Sequence, residues 1–566
     1  MNSTQSNFIS WDQTKIVYRS WGAENTEKGI VVLLHRGHEH SGRMEAMAQH
    51  FTNDGYSVYA WDARGNGLSE GERDHAEHFS VLVRDLQLFV ERILTETHAN
   101  YQDIVVVASS MGAVIASSWV HDYAPNIRGM ILATTALNIR LYVPFAIPML
   151  KVARKLALMP KVSSYVKSKV LTHDRAQQRT YNEDPLISNS ISTDLLIDTF
   201  QTGQRLLDDA PSIQTPTLVM CAGKDWVVSR RTQRKFYQRL SSAKKEWAYY
   251  PDSYHALFHE DDQIAVFERC STFIDECFQL PVANIDTTNS HKYGSSKDKM
   301  DVCNLPSLNP VYPLTKLTFS SIGKLSQGIK VGLESGFDSG RSLDYVYQNQ
   351  PQGKTPIGKL IDKIYLNSPG WQGIRSRKTI INELLTKYTS QDQPMNLLDI
   401  ASGNGYYLFE LLQNNPAITA QMRDFESSNV EIINKKAEQL NLSDRAHAIQ
   451  ADAFSATSYN TEQNYQLAIA SGLFELFSDN ALITAALAGI HQQLDADGYV
   501  LYTNQLWHPQ QEFIARTLTN HRGQPWLMRC RSQAEMDALV KQAGFEKVEM
   551  QIDPSGLFSV SVAKKR

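Results

Sequence analysis

Ser110 is the residue with the clearest chemical promise in this sequence. It stands in Val105-Val106-Val107-Ala108-Ser109-Ser110-Met111-Gly112, where an apolar, β-branched run stops at a small polar turn and gives way to a helix-like segment, Ala113 to His121. Such a run suits a strand buried on both faces of a parallel sheet, and the small residues let strand and helix meet in a turn that lifts a serine hydroxyl clear of the sheet. In A-S-S-M-G, Ala108 takes the place of a usual glycine. A second grouping is Asn396-Leu397-Leu398-Asp399-Ile400-Ala401-Ser402-Gly403-Asn404-Gly405, a strand running into a small-residue loop before a helix-like stretch, Tyr407 to Leu412. Small residues there let backbone approach a ligand closely, as in nucleotide-binding turns. Asp424, 25 residues after Asp399, closes the strand-like Ile418 to Met422 and is placed to accept hydrogen bonds from both hydroxyls of a ribose. Asp452 is a third acid, in Ile449-Gln450-Ala451-Asp452-Ala453-Phe454. His35, His38 and His40 invite a metal reading, but their spacing fits neither H-E-x-x-H nor H-x-x-E-H. They are expected to stabilise a turn, and no metal is expected.

These residues need a scaffold. Strand-like runs at Ile30 to Leu34, Tyr56 to Trp61, Ile104 to Val107, Met130 to Ala133 and Thr217 to Cys221 alternate with helix-like segments such as Phe79 to Glu96, the pattern of a parallel α/β sheet. In such sheets chemistry gathers at the strand ends. The first run closes on Leu33-Leu34-His35-Arg36-Gly37-His38-Glu39-His40-Ser41-Gly42-Arg43, and the next on Asp62-Ala63-Arg64-Gly65-Asn66-Gly67-Leu68-Ser69-Glu70-Gly71-Glu72-Arg73.

These two turns and the serine elbow, in this order and spacing, resemble the α/β-hydrolases of the monoacylglycerol lipase and lysophospholipase group over residues 1–280. The resemblance implies an α/β-hydrolase fold and a Ser, Asp, His order of catalytic residues. Ala222-Gly223-Lys224-Asp225 matches the family's acid turn and Tyr250-Pro251-Asp252-Ser253-Tyr254-His255 its histidine loop. It therefore implies Ser110 as nucleophile, His255 as base and Asp225 as the acid that fixes the base, with the backbone N–H groups of Met111 and Gly37 for the oxyanion and no cofactor. Arg36 departs from the family's usual glycine, which leaves the shape of that oxyanion site open. Residues 137–200 fall where the family carries a cap over its acyl pocket. Between Leu137 and Leu171 there are seven basic residues and no acidic ones, interleaved with apolar side chains. That composition suits contact with the headgroups of an anionic membrane; it equally suits a cap whose apolar face covers the pocket while its lysines are solvated.

Residues 281–312 are polar and without periodicity, which reads as a flexible linker. Residues 313–566 open with a helical preface, where Leu317, Ile322, Leu325 and Ile329 recur at helical spacing and are expected to pack in a core. The glycine loop and its acids then resemble the class I S-adenosylmethionine-dependent methyltransferases, a Rossmann-like fold. Asp399, Ala401, Gly403 and Gly405 stand for that family's D-x-G-x-G-x-G loop, Asp424 for the ribose acid, and Asp452 with Ala453 for the residues beside adenine. Ala401 departs from the first glycine. Gly498 to Tyr502 reads as the fifth strand, Ser532 to Gly544 as a helix, and Lys547 to Ile552 with Leu557 to Val562 as closing strands. A dehydrogenase-type fold is the rival, but G-x-G-x-x-G is absent. Gly336-Phe337-Asp338-Ser339-Gly340, Leu343-Asp344-Tyr345-Val346-Tyr347 and Arg423-Asp424-Phe425 further resemble a bacterial methyltransferase-like family fused behind α/β-hydrolases.

The remaining sequence bounds the function. A length of 566 residues calls for at least two domains, and 56 basic against 60 acidic residues argues against a general nucleic-acid binder. No signal peptide and no apolar run of roughly 20 residues is present. Five cysteines without C-x-x-C spacing indicate neither a disulfide framework nor a zinc site, and point to a reducing cytoplasm, with contact at the inner membrane surface through the cap. The expectation is a hydrolase of single-chain lipid esters joined to an S-adenosylmethionine-dependent methyltransferase whose acceptor is open. Glu475, Tyr502 and His508 follow the fourth and fifth strands, without a residue singled out as base. The alternatives are a second domain that only binds S-adenosylmethionine or a partner, and a membrane-associated scaffold.

Overall fold

The computed structural model describes residues 3–22, 28–156, 158–281, 287–389, 393–459 and 464–566. The chain divides into two compact units, Met1–Asn284 and Ile285–Arg566.

The first unit is built on eight strands: β1 Thr4–Ile9, β2 Lys15–Trp21, β3 Ile30–Leu34, β4 Ser57–Trp61, β5 Ile104–Ser109, β6 Gly129–Ala133 and, beyond a small cap hairpin of β7 Lys161–Ser163 and β8 Ser190–Ser192, β9 Thr217–Ala222 and β10 Lys245–Tyr250. Their order in the sheet is β1-β2-β4-β3-β5-β6-β9-β10, with β2 antiparallel to both its neighbours and every other pair parallel. The central strands β3, β5, β6 and β9 are buried at every position, as unbroken apolar runs require when helices cover both faces of a sheet. On one of those faces, helix Gln263–Gln279 sends Phe267, Cys270, Phe273, Ile274 and Cys277 into the core. Strands β1, β2 and β10 were not among the sequence expectations. In β1 and β10 apolar positions are mixed with polar ones and exposure is partial, so no long apolar run marks them.

The second unit has seven strands: β11 Met395–Asp399, β12 Ile418–Asp424, β13 Ala446–Gln450, β14 Tyr465–Ala470, β15 Leu494–Gln505, β16 Phe545–Ile552 and β17 Phe558–Lys565. The order β13-β12-β11-β14-β15-β17-β16 is parallel except for β17, which runs antiparallel to both its neighbours. The strand order reverses between β11 and β14, so the ends of these strands open the crevice where doubly wound sheets bind ligands.

Two parts of the second unit differ from the sequence expectation. Residues 282–286 of the expected linker lie outside the described residues, but later in that stretch helix Ser295–Asn304 forms and buries Cys303. Arg516 ties it down by donating to the carbonyls of Val302 and Leu305 at 2.8 and 2.5 Å. A helix with a single buried residue leaves almost no periodic signal to detect. In the helical preface, Ile329 is buried as expected, whereas Leu317, Ile322 and Leu325 stand exposed. Helical spacing shows that apolar residues share a face; it does not say what that face meets.

Candidate active sites

Ser110 sits between β5 and helix Met111–Tyr123 with φ 53° and ψ −113°, a conformation that L residues adopt only when their surroundings impose it. Its N–H donates to the Ala133 carbonyl at 2.9 Å, and its carbonyl accepts from Ala136 at 3.2 Å. Gly112 allows the turn: a Cβ there would lie 2.4 Å from the His35 carbonyl oxygen. The hydroxyl points at His255, with Oγ 2.9 Å from Nε2, while Nδ1 lies 2.9 Å from Asp225 Oδ2. The other oxygen of Asp225 accepts from the N–H groups of Val227 and Val228 at 2.7 and 2.9 Å. With that carboxylate beside it, Nδ1 carries the proton and Nε2 is free to accept from the hydroxyl. The whole relay is buried.

Gly37 lies across from the elbow, its Cβ direction 3.6 Å from Met111 Cε and 3.8 Å from Met111 Cβ. The arrangement brings together the two residues expected to face an oxyanion. Arg36, where a glycine was expected, turns away: its guanidinium donates to Glu39 at 2.8 Å and lies over the Tyr181 ring at 5.0 Å. The three histidines of this loop are each held by a different partner. His35 bridges the Ala63 N–H and the Arg36 carbonyl at 3.0 and 2.7 Å, and its burial lowers its pKa. His38 meets Asp74 at 2.7 Å and His40 meets Asp184 at 2.9 Å. Among the described residues no group of three or more metal-ligating side chains comes together. Asp62 of the second turn accepts from Ser41 and Leu68 and so ties the two loops into one frame.

Above Ser110 opens a cleft of about 560 Å³, floored by Gly37, Ser110, Met111 and His255 and roofed by apolar cap side chains such as Leu141, Met149 and Leu196. Among the described residues no carboxylate lines it. The cap also exposes apolar side chains to solvent: Tyr142, Val143 and Met149 at the cleft, and Phe145 and Leu156 away from its lining, Phe145 to 80%. Of the cap's basic residues, Arg154 reaches Asp198 at 3.2 Å and Lys161 reaches Glu72 at 2.9 Å. Sequence reading missed Glu260, which accepts from the N–H groups of Tyr254 and His173 and from Thr172, and so fixes the histidine loop to the cap. A glutamate in a loop has no pattern of its own.

In the second unit the glycine loop follows β11. Gly403 has φ +53° and a Cβ on it would meet nothing within 4 Å, so the loop turns its backbone to open space. Gly405, at φ +64°, serves packing, since a Cβ there would lie 2.8 Å from Met422 Sδ. Asp424 accepts from Gly403 on Oδ2 at 2.8 Å, and from Glu426 and Asn429 on Oδ1 at 2.9 and 3.0 Å. One lone pair, on Oδ2, is left for a ligand, fewer than a clasp on both ribose hydroxyls uses. Asp399 is fully buried; the Tyr407 hydroxyl donates to it, and burial pushes its pKa up to about 7. It acts on the loop from beneath. Asp452 accepts from the Phe454 N–H at 2.9 Å, Ala453 is buried against the core, and Ala401 stays half-buried at the loop's edge. An open glycine turn with an acid and a free lone pair beside it fits a nucleoside, so the residues present suit S-adenosylmethionine.

Beyond the ends of β14 and β15 lies a second cavity, of about 300 Å³, walled by Trp371, Ile374, Phe513, Trp526 and other apolar side chains. Glu475 and His508 line it, and Tyr502 does not: its ring is buried in the core. Glu475 accepts from Thr503 at 2.7 Å and Arg377 at 3.2 Å through Oε1, while buried Oε2 has no protein partner. His508 is neutral, because burial lowers its pKa to about 4, and its Nδ1 accepts from the Gln510 N–H at 3.0 Å. Arg377 and Trp371 sit on helix Pro369–Tyr388, where nothing in the spacing marks them as cavity residues.

Comparison with known proteins adds the relationships. Residues 270–565 match a family described as "Putative methyltransferase", and residues 25–262 one described as "Serine aminopeptidase, S33". The chain is 40% identical to "Uncharacterized protein YnbC" of Escherichia coli, over 99% of this chain and 98% of that one. It is 29% identical to "Monoacylglycerol lipase" of Mycolicibacterium smegmatis over 48% of this chain and 98% of that one. A solved soluble variant of monoglyceride lipase from Saccharomyces cerevisiae, in complex with a substrate analog, matches 50% of this chain and 97% of that one, at 23% identity and a TM-score of 0.44.

Proposed function

The chain belongs to the family described as "Putative methyltransferase", joins that unit to a lipase-like serine hydrolase, and is similar to YnbC along nearly its whole length; from that premise we propose that it hydrolyses single-chain lipid esters and transfers a methyl group from S-adenosylmethionine. The observation that carries the hydrolase reading is the buried Ser110–His255–Asp225 relay under an apolar cleft. In this reading His255 Nε2 takes the Ser110 proton as Oγ attacks the ester carbonyl. Charge on the carbonyl oxygen falls to the N–H groups of Gly37 and Met111. His255 then protonates the departing alcohol, and water activated by the same nitrogen releases the fatty acid. An aminopeptidase substrate would bring a positive amino group, and among the described residues the cleft lining offers no carboxylate to receive it. The similarity to monoacylglycerol lipases and the exposed apolar cap support a monoacylglycerol or lysophospholipid presented at an anionic membrane surface.

Labelling with a fluorophosphonate tests the nucleophile. Wild type is expected to label and Ser110→Ala to stay blank; equal labelling of both removes Ser110 from the mechanism. Asp225→Asn would present an amide to Nδ1 and favour the wrong tautomer, with an expected loss of about four orders of magnitude in kcat on a soluble ester. Near wild-type turnover in that variant would leave Asp225 a turn residue.

In the second unit, S-adenosylmethionine supplies an activated methyl group when bound. Gly403 would give it room, Asp424 would accept from a ribose hydroxyl, and Asp452 with Ala453 would border the adenine. The address supported by five buried cysteines, few and without C-x-x-C spacing, is a reducing cytoplasm, and among the described residues no helix is long and apolar enough to cross a membrane. Calorimetry with S-adenosylhomocysteine on the full chain tests the cofactor. Asp424→Asn is expected to weaken binding by about ten- to a hundredfold, the cost of a hydrogen bond to a charged group. Asparagine is the informative change, because alanine would also release Gly403, Glu426 and Asn429. No heat at millimolar ligand in wild type would leave the unit a structural or partner-binding module.

A further inference from the structure

The helical preface of the second unit carries two helices whose amphipathic sense is turned outward. Helix Val311–Ser320 has no buried residue; Tyr312 and Phe319 lie on its half-buried side, while Val311, Leu314 and Leu317 face solvent. Helix Pro356–Leu366 buries Gly358, Asp362 and Leu366 and exposes Ile357, Leu360 and Ile364, a stripe spaced three and four residues apart. Between them the turn Ile322–Leu325 adds exposed Ile322 and Leu325 and packs against both helices. Soluble surfaces scatter single apolar residues; eight exposed on three segments joined through one turn are the mark of a binding face.

The charges carried on these three segments have one sign, and the neighbouring acids Glu512 and Glu334 are each paired with a base, Arg516 and Lys330. Lys316, Lys324, Lys354, Lys359 and Lys363 are all exposed on these segments. In residues 305–333 and 351–366 the acidic residue is Asp362, which is fully buried and accepts from Ser326, Gly328 and Gln352. A face of apolar residues ringed by lysines complements a surface with an apolar interior and anionic headgroups. It complements a second copy of itself poorly, since lysine would meet lysine.

The face also leads somewhere. Ile364 is 66% exposed and at the same time lines the cavity beyond β14 and β15, and Phe319 and Ile361 of the same helices line it too. The interior wall and the outer apolar surface are therefore continuous through one side chain.

We propose that this face docks the second unit on an anionic lipid bilayer. The site is separate from the cap of the hydrolase unit, and it gives the cavity a path to a bilayer-dissolved ligand that avoids water. Calling that ligand the methyl acceptor rests on the methyltransferase reading; the docking does not.

An environment-sensitive label tests it on the full chain. The five native cysteines are buried, so Leu360→Cys can carry the fluorophore 7-nitrobenzofurazan, with Lys541→Cys on the exposed surface of helix Gln533–Gln542 as the control position. Vesicles of phosphatidylcholine containing phosphatidylglycerol are expected to brighten and blue-shift the label at 360 and leave that at 541 unchanged, while pure phosphatidylcholine has little effect. Lys316→Glu, Lys359→Glu and Lys363→Glu together are expected to weaken that response about tenfold or more, with turnover of a soluble ester unchanged. A silent label at 360 while the protein still sediments with vesicles overturns the proposal, because another surface is then in contact. A response that grows with protein concentration and needs no vesicles also overturns it and assigns the face to a second copy. S-adenosylhomocysteine binding separates the two ideas: heat without docking leaves the cofactor reading standing alone, and docking without heat leaves the membrane face without a methyltransferase behind it.

Discussion

Two buried titrating groups near the ends of the second sheet pull the unit's stability in opposite directions with pH. Asp399 is held protonated by burial, with its pKa raised from 3.8 to about 7. Between roughly pH 4 and 7 the folded chain keeps a proton that the unfolded chain has lost, so stability falls as pH rises through this window and is level above it. The full span is worth about 4 kcal/mol. His508 runs the other way: burial lowers its pKa from 6.5 to about 4. Below pH 6.5 the unfolded chain takes up a proton the folded chain refuses, so stability falls as pH drops from about 6.5 to 4. The two nearly cancel in wild type. Asp399→Asn is therefore expected to become more stable relative to wild type as pH is raised from 4 to 7, and His508→Gln as pH is lowered from 6.5 to 4. Denaturation midpoints of each variant at pH 4.5 and 7.5 check this; shifts of the same sign in both variants would contradict it.

At the scale of elements, glycines separate what the loops do for the fold from what they do for ligands. Gly112 lets helix Met111–Tyr123 pass close under β3, and in Gly112→Ala the new methyl would press on the carbonyl oxygens of His35 and Leu34. Backbone cannot yield as a side chain can, so the expected cost is about 1–3 kcal/mol or more, together with loss of ester hydrolysis as the elbow shifts. Gly405→Ala should likewise lower stability, since its methyl would press on Met422 Sδ. Gly403→Ala meets no protein atom, so apart from about 1–2 kcal/mol of left-handed strain its effect should fall on S-adenosylhomocysteine binding. Thermal melts beside ligand titrations separate the three variants; unchanged affinity in Gly403→Ala would place the ligand away from that turn. These same elements show how far sequence carries. Central strands were legible because both faces are buried and the residues form unbroken apolar runs, and Ser110 because a strand–turn–helix junction has a fixed local grammar. Strands β1 and β10, helix Ser295–Asn304 and the Arg377–Glu475 pair were not, because half-exposed strands lack such runs and because partners 98 residues apart leave no local trace. Leu317, Ile322 and Leu325 of the preface were legible as helix-spaced and misjudged as core, for periodicity reports a shared face and is blind to what that face meets.

For the molecule as a whole, the arrangement of groups decides whether two chemistries depend on each other. Ser110, Asp225, His255 and the residues that fix them belong to Met1–Asn284, whereas Gly403, Asp424, Arg377 and Glu475 belong to Ile285–Arg566. No hydrogen bond described above for either site reaches a residue of the other unit. Substitutions without shared partners add within a few tenths of a kcal/mol, and coupling appears where side chains share a contact or a network. Ser110→Ala is thus expected to abolish ester turnover while leaving the affinity for S-adenosylhomocysteine within about twofold of wild type, a difference below 0.5 kcal/mol. Asp424→Asn should weaken that ligand and leave hydrolysis of a soluble ester unchanged. The double variant should then show both losses at their single-variant size. A vesicle-borne ester is a sharper measurement than a soluble one, because apolar side chains and lysines are exposed on both the cap and the helical preface. If the two faces act on one membrane, charge reversal at Lys316, Lys359 and Lys363 should slow hydrolysis of vesicle-borne monoacylglycerol while sparing the soluble ester. That would be coupling through one membrane, and it follows the arithmetic of two linked binding modules, in which the second binds at the effective concentration set by the first. Equal slowing on both substrates would instead mean that the charges act on the hydrolase fold itself.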